Sequence, residues 1–205
     1  MKKTQVLVIH GGNTFKNEKD YLKYLRTRKI SLEKRVRWYP VWLESALGKK
    51  FDVIAPRMPL QDNAKYRDWE ILFRRYVFLL KGRFILIGSS LGGIFLAKYL
   101  SENKLPKKAL SVYIICPPFN NSLPKDDLVG GFNLRPDLFL IEKNCRNLYL
   151  LFSENDDVVP VSNAEKYRKK LPGANLKIYK GKNGHFYVPK FPEIIKLIKS
   201  DLEKV

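Results

Sequence analysis

Six short apolar runs punctuate the chain: QVLVIH (5–10), FDVIAP (51–56), FILIG (84–88), LSVYIIC (110–116), LYLLFS (148–153) and LKIYKG (176–181). They are rich in β-branched and aromatic residues, and several are apolar at consecutive rather than alternate positions. A strand covered on both faces produces that continuous pattern, whereas a half-exposed strand alternates. The stretches between the runs carry helical periodicity over 36–48, 64–81, 92–103, 161–171 and 189–204. Pro189 and Pro192 mark the start of the last helix, and Gly173 follows the end of the one before it. Alternation of strand and helix predicts an α/β fold with a parallel sheet and helices on both faces. No internal repeat or low-complexity linker interrupts it, and 205 residues suit one domain.

In such a sheet, ligands bind beyond the carboxyl ends of the strands. Four strand exits stand out as polar or glycine-rich: HGGN after the first run, GSSLGG after the third, SENDDVVP after the fifth and GKNGHF after the sixth. The second of these fits Gly-x-Ser-x-Gly in one register, Gly88-Ser89-Ser90-Leu91-Gly92, which makes Ser90 the candidate nucleophile rather than Ser89. A tight turn between an apolar strand and an apolar helix holds such a serine exposed in a strained conformation. A phosphate-binding turn is the competing reading. It lacks a Walker lysine, and the glycines do not space as Gly-x-Gly-x-x-Gly.

A serine hydroxyl needs a base to take its proton. The chain has two histidines, His10 and His185. In the order serine, acid, histidine the base comes last, which selects His185. His10 then orders the loop carrying an oxyanion-hole amide. Gly12 supplies that amide and Leu91, next to the nucleophile, the second. The acid lies in SENDDVVP, which offers Glu154 as well as Asp156 and Asp157; Glu154 opens the turn, and Asp157 is expected to cap the following helix. Phe186, Trp38 and Phe119 are candidate pocket residues, with core packing the alternative for each.

The net charge is +19, from 39 Lys and Arg against 20 Asp and Glu. The basic residues are spread along the chain, and no zinc-finger, RNA-recognition or helix-turn-helix pattern accompanies them, so a nucleic-acid partner is not expected. No apolar run approaches the roughly 20 residues of a membrane span. The start, MKKTQVLVIHGG, has too short an apolar stretch for a signal-peptide core and reads as a first buried strand. The two cysteines, Cys116 and Cys145, read as reduced thiols of a cytoplasmic protein. Two histidines and two scattered cysteines do not make a metal site, and no cofactor is expected.

The stretches VIHGG, RWYPVWLESAL, VIAPRMP, ILIGSSLGG, GFNLRPDLFLIEKNC, SENDDVVP and GHFYVPKFPEIIKLI together resemble the small α/β-hydrolase-fold serine hydrolases typified by retinoblastoma-binding protein 9 and bacterial YdeN. The resemblance implies a six-stranded parallel sheet in the order 2-1-3-4-5-6, no metal or cofactor, and a triad of Ser90, Asp156 and His185. It places the acid four residues before Pro160, at Asp156. The implied activity is carboxylesterase-like cleavage of a small ester, thioester or amide, with a small-molecule acyl substrate. An interaction protein that kept the fold without turnover is the alternative class. The segment 14–37 is longer and more basic than the group's pattern and is expected to add a helix near the site. The 117–145 region, where larger relatives insert a cap, is expected to be a short flap. The Leu-x-Cys-x-Glu motif of retinoblastoma-type binding is absent, so that partner is not carried over.

Overall fold

The computed structural model describes residues 3–33, 36–124 and 127–203. Six strands, β1 (Thr4–Ile9), β2 (Phe51–Ile54), β3 (Phe84–Ser89), β4 (Ala109–Ile115), β5 (Cys145–Ser153) and β6 (Asn175–Tyr179), form one sheet in the order β2-β1-β3-β4-β5-β6. Every neighbouring pair is parallel. The helices are α1 (Glu18–Thr27), α2 (Leu43–Leu47), α3 (Tyr66–Leu79), α4 (Leu91–Glu102), α5 (Leu140–Lys143), α6 (Ser162–Lys170) and α7 (Pro192–Glu203).

Successive strand residues feed opposite faces of the sheet. Leu7, Ile9, Leu86, Val112 and Leu150 join Trp69 and Phe73 of α3, Phe95 of α4 and Tyr167 of α6 in one core cluster. Val6, Val8, Ile85, Ile87, Tyr113 and Leu151 join Leu43 of α2 and Ile194 and Ile198 of α7 in the other. The continuous apolar pattern of the runs is thus two alternating faces, each covered by helices. Among the described residues, no helix is long and apolar enough to cross a membrane.

Two helix expectations shift. The stretch 36–48 is an irregular turn at Trp38–Trp42 followed by the short α2. Tyr39 there is extended, and a residue before proline is pushed out of the helical region. The last helix starts at Pro192, and the far end of the expected span, residue 204, lies outside the described residues. The expected extra helix in 14–37 is α1, capped by the Asn17 side chain, which accepts from the Asp20 amide.

One polar group crosses the second core. Asp201 of α7 is fully buried; Oδ2 accepts from Ser111 at 2.6 Å and Tyr113 at 2.8 Å, and Oδ1 from Tyr149 at 2.6 Å. Asp201 pins α7, and with it the loop before α7, to β4 and β5. Asp201→Leu strands three buried hydroxyls and is expected to cost about 3–5 kcal/mol. A thermal melt should show a drop of roughly 10 °C.

Candidate active site

The turn after β3 is shaped by its glycines. A Cβ on Gly88 would collide with the carbonyl of Gly92, and one on Gly92 with the carbonyl oxygen of Ile9. Strand and helix therefore approach more closely than any side chain at either position allows. Between them Ser90 takes φ 57° and ψ −120°, a strained conformation for a residue with a side chain. Its amide donates to the Ile115 carbonyl at 2.8 Å, fixing the turn against the end of β4. Leu91 opens α4, where first-turn amides have no partner within the helix.

The loop after β1 lies against this serine. A Cβ on Gly11 would stand 3.6 Å from Ser90 Oγ. His10 orders the loop as expected. Met58 N donates to His10 Nε2 at 2.8 Å, so that nitrogen is unprotonated. Its Nδ1, 2.6 Å from the Gly11 carbonyl, carries the proton and donates it there. Gln61 Nε2 also donates to that carbonyl, at 3.3 Å. In a trans peptide the next N–H points opposite the carbonyl. Fixing the Gly11 oxygen therefore fixes the direction of the Gly12 N–H.

Burial, first, lowers the His10 pKa from its ordinary 6.5; the Gly11 carbonyl opposes this, and the charges of Arg37 and Arg57 add to it. The native state thus prefers neutral His10. Its contribution to stability is whole above pH 6.5 and is lost as pH falls through the depressed folded value. Between roughly pH 7.5 and 5, the wild type should lose more melting temperature than His10→Asn does. If the Gly12 amide is an oxyanion donor, His10→Ala should lower kcat about 10- to 100-fold and leave KM nearly unchanged.

The acid and base exits meet across β5 and β6. His185 Nδ1 and Asp156 Oδ2 are 2.7 Å apart, in a pair only 9% and 8% exposed. Asp156 Oδ1 accepts from the amides of Val158 and Val159 at 2.9 and 2.8 Å. Burial pushes the Asp156 carboxyl up, but the His185 hydrogen bond and charge, the Cys116 thiol and the Val159 amide outweigh it and hold it below the usual range. His185 is swung into place by its neighbours. Gly184 is left-handed at φ +68°, and Phe186 is buried between Tyr179 and Phe191. Lys182 ties this loop to α7 through Glu193 at 2.7 Å. Beyond its bond to Asp156, the imidazole has a second nitrogen, Nε2, that is buried without a hydrogen-bond partner.

Asp157 does not cap α6. The residue before that helix is Val161, which makes no side-chain cap, and it is Asp156 that gathers the amides of the turn. A short bend with one tight hairpin of amides favours the acid already facing them.

Sequence reading took Cys116 only as a reduced thiol and missed its place at the site, one residue after the Ile115 carbonyl that holds Ser90. Its amide donates to Leu151 at 2.8 Å, and its buried side chain sits at φ 43°. Its sulfur, an Asp156 oxygen and a His185 nitrogen lie within 4.8 Å of one another, and burial, ahead of the Asp156 charge, pushes its thiol pKa up. Cys116, Asp156 and His185 are also the metal-ligating types that cluster among the described residues, but the acid and the imidazole already bond to each other. No sequence pattern marks such a contact, because it depends on which strand ends adjoin. Of the pocket candidates, Trp38 and Phe186 lie in the core on the α7 side, and Phe119 packs edge-on to Tyr167 with its amide bonded to Asn163.

A parallel 2-1-3-4-5-6 sheet, with its glycine-tight serine turn after β3 and a buried Asp–His pair across β5 and β6, is an α/β-hydrolase fold. The chain belongs to the serine hydrolase family, whose model matches residues 33–197. Its fold is similar to that of the ydeN gene product of B. subtilis, with a TM-score of 0.75 and 18% identity over 98% of this chain and 100% of that one. A predicted CIB-like hydrolase from Thermoplasma acidophilum has a TM-score of 0.60 at 17% identity, covering 100% of this chain and 88% of that one. The Pyrococcus furiosus esterase Pf2001 has a TM-score of 0.60 at 16% identity, covering 99% and 81%. No curated protein sequence matches the chain significantly.

Proposed function

We propose that this serine hydrolase cleaves a small ester, thioester or amide through an acyl-enzyme, with Ser90 as nucleophile, His185 as base and Asp156 as its orienting acid. One observation carries the reading. The buried His185 is bound to Asp156 through Nδ1 and keeps Nε2 bare of partners, and it leaves the sheet at the same carboxyl edge as the strand-turn-helix that strains a serine at its tip. A histidine with no task would have satisfied that second nitrogen.

In the forward step His185 Nε2 takes the hydroxyl proton as Ser90 Oγ attacks the substrate carbonyl. The developing oxyanion is held by the amides of Gly12 and Leu91. The imidazolium is stabilised by the ionised Asp156, then gives its proton to the leaving group. Water repeats the sequence on the acyl-enzyme and releases the acid. The esterase among the structural relatives, P. furiosus Pf2001, supports an ester as the first substrate class to try. The described parts of the segment 14–37 and of the 117–145 region meet each other. They are tied by the Thr14–Asp127 bridge and by Lys16 with Asp127 at 2.9 Å. The test is labelling with a fluorophosphonate probe, followed by turnover on a panel of p-nitrophenyl esters, a thioester and an anilide. Covalent labelling with ester turnover is the expected result. A chain that is unlabelled and inactive on every substrate would refute the reading.

A further inference from the structure

A cavity of about 190 Å³ opens beside the β1 exit, lined there by Val8 and His10. Its polar wall is Arg37, Arg57 and Gln61; its apolar wall includes Tyr39, Pro40 and Pro56. The two arginines come from chain stretches 20 residues apart, one before the Trp38 turn and one after β2. Neither makes a salt bridge with a carboxylate among the described residues. Both charges also act on His10, which lines the same cavity and whose pKa they lower after burial does. The Arg37 guanidinium also hydrogen-bonds the Tyr39 hydroxyl.

Two arginines without a carboxylate partner among the described residues, lining one half-apolar cavity, ask for an anion with a hydrocarbon body. The planar fork of arginine matches a carboxylate in two-point contact. A tetrahedral phosphate would find no apolar complement here and would leave the proline wall uncovered. Volume narrows the choice: a cavity of roughly 150 Å³ accommodates benzene, so this one takes a ring or short chain bearing one carboxylate.

We propose that this cavity binds a small organic carboxylate, its charged end between Arg37 and Arg57 and its body against Tyr39, Pro40 and Pro56. The occupant would touch Gln61, one of the two groups that hold the Gly11 carbonyl. Taken with the hydrolase reading, the ligand belongs to the product class of the reaction, a free acid.

The test is calorimetric titration of the full chain with benzoate at fixed ionic strength, with benzamide and inorganic phosphate as parallel probes. Saturable benzoate binding is expected, with benzamide and phosphate each weaker by about tenfold or more. The double variant Arg37→Gln/Arg57→Gln should lose about tenfold or more in benzoate affinity. Arg67→Gln/Arg146→Gln, which removes the same charge from exposed positions elsewhere, should bind as wild type does. So should Ser90→Ala, because the cavity does not use the serine. The melting temperature of each variant checks that the fold is kept. The proposal is overturned if benzoate does not bind, if benzamide or phosphate binds as tightly, or if the Arg37/Arg57 variant keeps its affinity. It is equally overturned if the Arg67/Arg146 control loses affinity. Benzoate binding by a chain that is unlabelled by the fluorophosphonate would uphold the cavity and refute the hydrolase reading alone.

Discussion

Ser90→Ala is expected to abolish fluorophosphonate labelling and to lower ester turnover about 10⁴-fold or more. Ser89→Ala, one residue away, should leave labelling intact and turnover within about threefold of wild type. The difference follows from the backbone. Ser89 is the last residue of β3 and pairs with Ile115 in the sheet register. Ser90 leaves the strand at φ 57°, with its amide anchored to the Ile115 carbonyl and its Oγ against Gly11. Alanine at position 90 meets the same backbone strain as serine and removes only the hydroxyl. The fold should persist, and the melting temperature checks that it does. Labelling that survives in Ser90→Ala, or that disappears in Ser89→Ala, would overturn the assignment of the nucleophile.

The sheet was legible because its strands bury both faces: runs such as FILIG and LSVYIIC have no other stable home in a chain of this size. The serine turn was legible because two glycines are demanded by carbonyl oxygens that leave no room for a Cβ. Chain order singled out His185, while the choice of Asp156 over Asp157 came from the resemblance; the structure brings that pair together. What sequence could not show depends on side-chain placement between distant segments. Tyr39 and Arg37 meet Gly11 and Arg57 only after the turn at Trp38–Trp42 breaks the periodic stretch 36–48. Helical periodicity over 36–48 mistook the backbone there, which buries Trp38 and Leu43 through an irregular turn and a short helix. The short α5 escaped for the opposite reason. Four residues, Leu140–Lys143, are less than two helical turns and carry no periodicity to detect.

Asp156→Asn should lose up to about 10⁴-fold in turnover while folding normally, whereas Asp157→Asn should stay within a few-fold of wild type. The argument rests on how an amide must sit. The amides of Val158 and Val159 both donate to Oδ1, so the carbonyl oxygen of an asparagine takes that position. Its NH₂ then faces His185 Nδ1, where the carboxylate Oδ2 stood at 2.7 Å. A donor facing Nδ1 forces the imidazole proton onto Nε2, and a protonated Nε2 cannot accept from a serine. The substitution also removes the negative charge, held ionised in spite of burial, that would stabilise the imidazolium. Asp157 is exposed, with Oδ1 3.0 Å from where a Cβ on Gly184 would stand, and it is not part of the bond to the imidazole. Replacing it with its isostere should cost about 1 kcal/mol or less. Steady-state turnover and melting temperature of both variants decide between them. An inactive Asp157→Asn beside an active Asp156→Asn would move the acid by one residue and break the chain of reasoning from the amides of the turn to the tautomer of the base.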